Sequence, residues 1–232
     1  MKTVVIIGGG TATFTLLKGL RQFPTNNIVI VSTADDGGSA GRLRTELEIM
    51  PMGDIRQCLI GLSYTVPALQ ALFNYRFDRG SLRGHSAGNI ILAALQKITG
   101  TPEGAIAEAA RLLNVRGEVL FASKQPTKLS ARLKDGTRIS SEHELDEPKR
   151  KRAPIERSTL SSSQAIPRAI DAIGRADAVV LGPGDLFTST LPNLLVPGIS
   201  EAIAASPAKK ILITNLMTKL GKTDGYQSSD FL

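Results

Sequence analysis

A short apolar run near the start of the sequence ends in a cluster of glycines that suits phosphate binding. The run Lys2–Ile7 is followed directly by Gly8, Gly9, Gly10 and Thr11. Glycine lets the backbone turn sharply and bring its N–H groups close to phosphate oxygens, and a helix that follows adds the positive end of its dipole. We therefore predict that these four residues hold a phosphorylated ligand, either a nucleotide or a nucleotide-sugar.

This glycine turn matches neither of the two commonest phosphate-binding signatures. A dinucleotide fingerprint G-x-G-x-x-G that began at Gly8 would need Gly or Ala at position 13, where Thr13 stands. The P-loop signature G-x-x-x-x-G-K-[ST] does not occur either. The turn predicts ligand binding without identifying the ligand, and a purely structural connection between a strand and a helix is the alternative.

Carboxylates follow the second apolar run. Asp35 and Asp36 are adjacent, and Asp54 lies in the same polar stretch. Neighbouring carboxylates repel unless a cation or backbone N–H groups offset them, and Mg²⁺ prefers carboxylate oxygens together with water and phosphate. We predict that Asp35 or Asp36 contacts a ribose or a metal, with Asp36 and Asp54 as the candidate metal ligands. The alternatives are an Asp-rich turn and, for Asp54, an N-cap of a helix over 55–63.

Two more clusters combine glycine with hydroxyl or amide side chains, at residues 84–89 and 182–190. The letters G-H-S-A-G at 84–88 fit a serine nucleophile elbow, but the residues before them make a poor strand, so a serine hydrolase is not favoured. The loop 221–226 is a further source of base, sugar or phosphate contacts. The predicted pocket is completed by Asn89, Gly184, Thr188 and Ser189.

The elements that position these residues form an α/β pattern with a mostly parallel sheet. Strands are predicted at 2–7, 28–32, 178–181 and 210–214, each followed by a polar loop. Helices are predicted over 13–23, 55–63, 66–75, 86–98, 102–113 with Thr101 as N-cap, 164–174 and 198–205. The loops that follow parallel strands gather at the carboxyl edge of the sheet, where ligands bind. This convergence supports a binding site more strongly than any one motif does.

Two stretches depart from that pattern. Residues 33–53 are rich in Gly, Asp, Arg and Pro without clear periodicity, and we predict a long loop there that is either functional or disordered. Residues 115–163 contain two short strand patterns, at 118–122 and 128–133, and a hairpin signal at Asp135-Gly136. We predict a single domain over 1–232 that carries a small β-rich insertion at about 115–163.

Composition narrows the class of protein. The single cysteine, Cys58, excludes an internal disulfide, and no apolar run reaches the roughly 18 residues of a membrane span. With no signal-peptide pattern at the start, we expect a cytoplasmic location. The net charge is +7, with a basic run at 149–152. Few aromatic residues accompany that run, so we expect no nucleic-acid partner and interpret the run as a solvated loop.

Seven stretches, in this order, make the sequence resemble the gluconeogenesis-factor family, also called CofD-like, which is related to the phospholactate transferase of deazaflavin-coenzyme biosynthesis. The resemblance covers essentially the whole chain apart from about 123–163. The stretches are GGGTATFTLLKGL, STADDGGSAGRLR, PMGDIRQCLIGL, GHSAGNIILAAL, LNVRGEVL, VVLGPGDLFTSTLPNLLVPGI and NLMTKLGKTDGY.

The resemblance implies a Rossmann-like, doubly wound core. The regulatory branch of the family is linked to cell shape and wall synthesis during growth on gluconeogenic carbon, and is thought to bind a UDP-sugar. The transferase branch moves a phospholactyl group from a nucleoside diphosphate carrier with Mg²⁺ on carboxylates, which resemble Asp36 and Asp54. Two departures are Ala12, where the branch usually has Gly, and the end at Leu232, beyond which family members continue.

Three hypotheses follow. The first is a regulatory nucleotide-sugar-binding protein without turnover, and a homodimer is compatible with it. The second is a Mg²⁺-dependent phosphotransferase of the phospholactate type, with Asp36 and Asp54 as metal ligands. The third is a protein that acts on RNA or a membrane surface through residues 149–152. The residues show no deprotonating base, which favours the first.

Overall fold

In a computed structural model that describes residues 1–147 and 152–231, the chain forms a parallel sheet covered by helices on both faces and a small antiparallel sheet. The strands in these ranges are β1 (Lys2–Ile7), β2 (Thr25–Val31), β3 (Glu118–Phe121), β4 (Leu129–Leu133), β5 (Arg138–Ile139), β6 (Ile155–Leu160), β7 (Ala178–Leu181) and β8 (Lys209–Leu212). The parallel sheet has the order β3-β2-β1-β7-β8, and the antiparallel sheet has the order β5-β4-β6. The Rossmann-like α/β fold predicted from the sequence is confirmed.

Along the chain, most helices fall between strands of the parallel sheet, and in space they pack on its two faces. They are α1 (Gly10–Leu20), α2 (Gly38–Leu47), α3 (Gly53–Gly61), α4 (Pro67–Asn74), α5 (Ala87–Thr99), α6 (Pro102–Leu112), α7 (Glu142–Asp146), α8 (Pro167–Gly174), α9 (Leu191–Leu194) and α10 (Ile199–Ala205). A π-helical turn spans Leu186–Thr190 and a 3₁₀ turn spans Ser228–Phe231. Within the described ranges, no helix is long and apolar enough to cross a bilayer.

The central strands are apolar on both faces because helices cover both faces. Ile6 of β1 packs into the core shared with α1, α3, α5 and α6. Val5 and Ile7 point the other way, into the core shared with α8 and α10. All three side chains are fully buried. The continuous β-branched run that predicted a buried strand is explained by this two-sided packing.

The direction of winding reverses between β1 and β7. The chain moves outward from β1 through β2 to β3 on one side, and from β7 to β8 on the other. The loops after β1 and β7 therefore leave in opposite directions, an arrangement that in open α/β sheets borders a crevice at the carboxyl edge. In open α/β sheets, this switch point is where ligands bind.

The helix predictions are confirmed for α4, α5 and α6, and Thr101 is the N-cap of α6, accepting a hydrogen bond from the Gly104 N–H at 3.0 Å. The prediction of a continuous loop over 33–53 was wrong, because α2 occupies about half of that stretch. Glycines within α2 interrupt the apolar periodicity from which a helix is predicted. Gly41 is needed there because a Cβ would lie 2.0 Å from the carbonyl oxygen of Asp36.

The predicted start of the insertion was too early. Strand β3 pairs in parallel with β2, from Ile28 with Glu118 to Val31 with Phe121, and so belongs to the main sheet. The small sheet begins only at Leu129, and Asp135-Gly136 forms the predicted turn between β4 and β5. A strand pattern alone does not reveal a pairing partner some ninety residues away. Whether residues 1–232 are one domain stays a prediction.

The small sheet packs against the main sheet through its own core. Leu129, Leu133 and Ile139 lie with Leu145 of α7 in one buried cluster. The same cluster includes Ala34, which follows β2, and Phe187 from the π-helical turn. The small sheet is therefore placed over the carboxyl edge of the parallel sheet. Of the basic run at 149–152, only Arg152 lies within the described residues.

Candidate functional site

The glycine turn after β1 is built around the carboxylate of Asp54. The Gly10 N–H donates a hydrogen bond of 2.9 Å to Asp54 Oδ1. A Cβ on Gly9 would lie 2.0 Å from Asp54 Oδ2, so only glycine fits there. Gly10 has a φ of +71°, in the left-handed region that glycine adopts without steric cost. The structure therefore explains why glycine occupies each of these two positions.

Asp54 does not act as an N-cap, which was one reading of the sequence. Helix α3 begins one residue earlier, at Gly53, with Met52 as N-cap, and the Asp54 side chain crosses to α1 instead. Its carboxylate uses the Gly10 N–H, one of the donors that we expected to bind phosphate. The first N–H groups of a helix have no acceptor within the helix, so the next residue, Thr11, which is exposed, still offers a donor to a ligand.

The turn after β1 is tied to the turn after β7. The hydroxyl of Thr13, which is fully buried, donates a hydrogen bond of 3.0 Å to the carbonyl oxygen of Pro183. A Cβ on Gly184 would lie 3.0 Å from Ser189 Cβ and 3.7 Å from the Gly9 carbonyl oxygen. Thr13, which breaks the dinucleotide fingerprint, therefore joins the two walls of the crevice.

Asp185 stabilises the turn after β7, which is the second wall of the crevice. Its Oδ1 accepts hydrogen bonds from the N–H groups of Phe187 at 3.0 Å and Thr188 at 2.9 Å, which begins the π-helical turn. π-Helical turns are rare and occur often at functional sites. Thr188 is buried and its hydroxyl lies 3.5 Å from Asp146 Oδ1, while Ser189 is half-buried beside Gly184. Ligand contacts from these hydroxyls stay a prediction.

Carboxyl groups crowd the carboxyl edge near β2. Burial and the charge of Asp54 raise the pKa of Asp35 to about 7. Burial, and then the charge of Asp35, raises the pKa of Glu142 to about 9. Burial also raises the pKa of Asp54. The backbone N–H of His143 donates a 2.8 Å hydrogen bond to Asp36 Oδ1, so α7 contacts this cluster directly.

Glu142 was missed by the sequence analysis, although a signal was present. Ser141 and Glu144 have the S-x-x-E spacing of a helix start. The Glu144 N–H donates a 3.0 Å hydrogen bond to Ser141 Oγ, as that signature predicts for a helix N-terminus. Arg152 closes the other end of α7, donating hydrogen bonds to the carbonyl oxygens of residues 144, 145 and 147. Arg152 is therefore a helix-capping residue rather than a freely solvated cation.

The magnesium hypothesis depends on which carboxylate oxygens are available as metal ligands. Within the described ranges, no group of three or more His, Cys, Asp or Glu side chains is arranged to hold a metal ion. Mg²⁺, however, is commonly held by only one or two carboxylates, with water and substrate phosphates completing its shell. Asp36 and Asp54 each have one oxygen engaged by a backbone N–H. Joint binding of a Mg²⁺ by Asp36 and Asp54, with a phosphorylated ligand completing the shell, stays a prediction.

Asn89 is held by an arginine rather than left free. Its Oδ1 accepts a 2.9 Å hydrogen bond from Arg56 Nε, and both residues are buried. The same guanidinium donates to the carbonyl oxygen of Phe73 at 3.2 Å and to Asn74 Oδ1 at 2.9 Å. Ser86 is also buried and donates to the Phe73 carbonyl, which is not the exposed position of a nucleophile. Contact between Asn89 and a ligand stays a prediction.

The fold and the sequence match a known family. The family model for 2-phospho-L-lactate transferase CofD matches residues 4–232. A gluconeogenesis factor of Halalkalibacterium halodurans is 48% identical over 234 residues, which cover 100% of this chain and 72% of that protein. A gluconeogenesis factor of Bacillus subtilis is 46% identical over 230 residues, covering 98% of this chain and 72% of that protein.

A solved structure agrees with these matches. A crystal structure from Bacillus halodurans, described as a member of the UPF0052 family, superposes with a TM-score of 0.95 at 46% identity. The superposition covers 100% of this chain and 75% of that chain. The expectation drawn from seven sequence stretches is confirmed. The chain belongs to the CofD-like family, and its similar relatives are named gluconeogenesis factors.

Proposed function

We propose that this chain is a cytoplasmic regulatory protein that binds a nucleotide-sugar, with a UDP-sugar as the ligand. The observation that carries the proposal is the switch point of the sheet, where the glycine turn after β1 lies against Gly184 of the turn after β7. Backbone N–H groups at the start of α1 suit the diphosphate. The carboxylates of Asp35 and Asp36, which follow β2, suit the ribose hydroxyls.

The biological role follows from the relatives. Two similar proteins are named gluconeogenesis factors. We propose that this chain links the level of a nucleotide-sugar to cell shape and wall synthesis during growth on gluconeogenic carbon. Binding without turnover is sufficient for that role. It requires only the glycine turns and the neighbouring carboxylates at the carboxyl edge of the sheet.

A phosphotransferase is the second candidate, favoured by the cluster of Asp35, Asp54 and Glu142. Burial raises the pKa of all three carboxyl groups, and groups perturbed in this way are candidates for a functional site. Asp36 and Asp54 would hold Mg²⁺, which neutralises the charge of a diphosphate leaving group when it is bound. The family model that matches this chain is described as a 2-phospho-L-lactate transferase.

Calorimetric titration distinguishes the two candidates. The purified chain is titrated with UDP-N-acetylglucosamine, with and without Mg²⁺, and with GDP as the comparator. Saturable binding of the UDP-sugar that is indifferent to Mg²⁺ is the expected result. Binding of GDP alone, and only with Mg²⁺, would favour the transferase. Absence of binding for both nucleotides would contradict both proposals for residues 1–232.

The variant Asp54→Asn sharpens this test. It keeps an oxygen acceptor for the Gly10 N–H but removes the charge that a phosphate would meet. The regulatory proposal predicts unchanged or tighter UDP-sugar binding. The transferase proposal predicts that the Mg²⁺-dependent affinity for GDP falls at least tenfold, about 1.4 kcal/mol. Asp78→Asn is the matched control, because the Asp78 side chain is 83% exposed.

A further inference from the structure

Two lysines and two aspartates form a compact ion cluster beside the crevice. Lys222 Nζ lies 2.6 Å from Asp146 Oδ1 and 2.8 Å from Asp185 Oδ2. Lys219 Nζ lies 2.7 Å and 3.0 Å from the same two oxygens. Each ammonium group therefore bridges the same pair of carboxylates, and the four charges sum to zero.

The cluster joins three separate parts of the chain. Asp146 is the last residue of α7, and α7 packs against the small sheet. Asp185 lies in the turn after β7, and the two lysines lie in the loop after β8. The Lys222–Asp146 contact spans 76 residues of sequence. The small sheet is thus connected by charge to the carboxyl ends of two strands of the main sheet.

The burial of the four groups is unequal. The Lys222 side chain is fully buried and that of Asp185 is 10% exposed, whereas the side chains of Lys219 and Asp146 are 42% and 46% exposed. Burial alone would raise the pKa of Asp146, but hydrogen bonds from Lys219 and Lys222 lower it to about 2. The Asp146 carboxylate therefore stays ionised, and the buried ammonium of Lys222 keeps its counter-charges.

The turn after β7 and the carboxylates after β2 both depend on residues that the cluster holds. Asp185 uses its Oδ2 for the lysines and its Oδ1 for the N–H groups that begin the π-helical turn. Helix α7 ends at Asp146 and, near its start, places the His143 N–H on Asp36 and brings Glu142 among the carboxylates. A movement of either aspartate would displace groups that face the proposed ligand.

We propose that Asp146, Asp185, Lys219 and Lys222 form an ionic latch that holds α7 and the small sheet closed on the turns after β7 and β8, and that the two lysines are positioning residues for ligand binding. The effect on binding rests on the proposed function. The closure itself does not, because it concerns contacts within the chain. The lysines act through Asp185 and α7 rather than by touching the ligand.

The test uses Lys219, because a substitution of the fully buried Lys222 endangers folding. Lys219→Met removes one bridge, Lys219→Arg keeps a cation that can span both carboxylates, and Lys209→Met changes an exposed lysine of β8 as the matched control. Hydrogen–deuterium exchange is followed in peptides that cover 142–147 and 186–190, with β1 and β2 as internal references. Calorimetry with UDP-N-acetylglucosamine is run on the same proteins.

For Lys219→Met, we expect faster exchange in both peptides, unchanged exchange in β1 and β2, and about tenfold weaker UDP-sugar binding. Lys219→Arg should restore both readouts, and Lys209→Met should change neither. Unchanged exchange in Lys219→Met, or an Arg variant that behaves like Met, would overturn the latch. Faster exchange with unchanged affinity would overturn the positioning role. If the wild-type chain binds no nucleotide-sugar, the proposed function fails, while the exchange data still decide on the latch.

Discussion

Gly9 and Asp54 depend on each other at the centre of the site. The carboxylate lies where a side chain on Gly9 would be, and it accepts the Gly10 N–H that begins α1. This arrangement places a buried negative charge at the positive end of a helix, where the dipole stabilises it. It also means that a diphosphate approaching the turn meets a carboxylate, so the protonation or cation binding of Asp54 affects affinity.

Gly9, the N-cap of α1, and Gly19, near the end of α1, offer a matched test of this contact. Gly9→Ala would place a methyl group against Asp54, and we expect a loss of about 1–3 kcal/mol in the free energy of unfolding together with weaker ligand binding. Gly19→Ala has open space around the new Cβ and a helical position, so a gain of about 0.5–1 kcal/mol is expected. Urea denaturation of both variants checks the prediction, and equal effects would contradict it.

At the scale of elements, a buried arginine joins three helices at one corner of the fold. Arg56 of α3 reaches the carbonyl oxygen of Phe73 and the side chain of Asn74 at the end of α4, and Asn89 in the first turn of α5. The last carbonyl groups of a helix have no partner within it, so a cation at the end of α4 is favourable. Gly88 of α5 leaves the room that the arginine needs, since a Cβ there would lie 2.7 Å from Arg56 Cδ.

Arg56→Met should therefore destabilise the chain through lost hydrogen bonds rather than lost volume. The variant removes the arginine donor from Asn89 Oδ1 and Asn74 Oδ1, while the Phe73 carbonyl keeps the Ser86 hydroxyl, and we expect a cost of about 3 kcal/mol. Arg79→Met is the control, because its side chain is 95% exposed, and it should change the free energy of unfolding by less than about 0.5 kcal/mol. Denaturant titration measures both. A small effect of Arg56→Met would show that water replaces the arginine.

At the scale of the whole molecule, the crevice exists only because distant parts of the chain meet at one edge. The main sheet brings the loops after β1, β2, β7 and β8 together, and the small sheet adds α7 from above. The chain as a whole carries a net charge of +7, yet this edge gathers carboxyl groups. Their burial, and then their mutual repulsion, makes stability there depend on pH.

Glu142→Gln tests that dependence. Unfolded, Glu142 ionises near its ordinary pKa of 4.5, whereas in the folded chain it stays protonated up to about pH 9. The folded state therefore holds an extra proton between these values, so stability falls as the pH rises through that window. Glutamine removes this cost, and we expect a higher melting temperature at pH 8, each kcal/mol corresponding to roughly 2–4 °C in a chain of this size.

The comparison of two pH values provides the control for this variant. At pH 5 most of the cost is absent from the wild-type chain as well, so the melting temperatures of Glu142→Gln and the wild type should nearly coincide. Thermal unfolding by circular dichroism measures both. An equal shift at pH 5 and pH 8 would mean that the substitution acts through packing rather than through the carboxyl group.

The sequence by itself determined what depends on near neighbours along the chain. The apolar runs predicted β1, β2, β7 and β8, the helical spacing and caps predicted α4, α5 and α6, and the glycine turns marked the carboxyl edge. These signals are local because strand, helix and turn propensities act over a few residues. Seven motifs in order were also enough to indicate the family that residues 4–232 match.

Only the tertiary structure decided which partner each side chain meets. Asp54 crosses to Gly10 instead of capping its own helix, Asn89 is held by Arg56, and Lys222 bridges two aspartates from other elements. Each contact joins residues that lie more than thirty positions apart in the chain. Strand β3 joined the main sheet for the same reason. Pairing across such separations is selected by burial and charge balance in the whole fold, which local pattern does not encode.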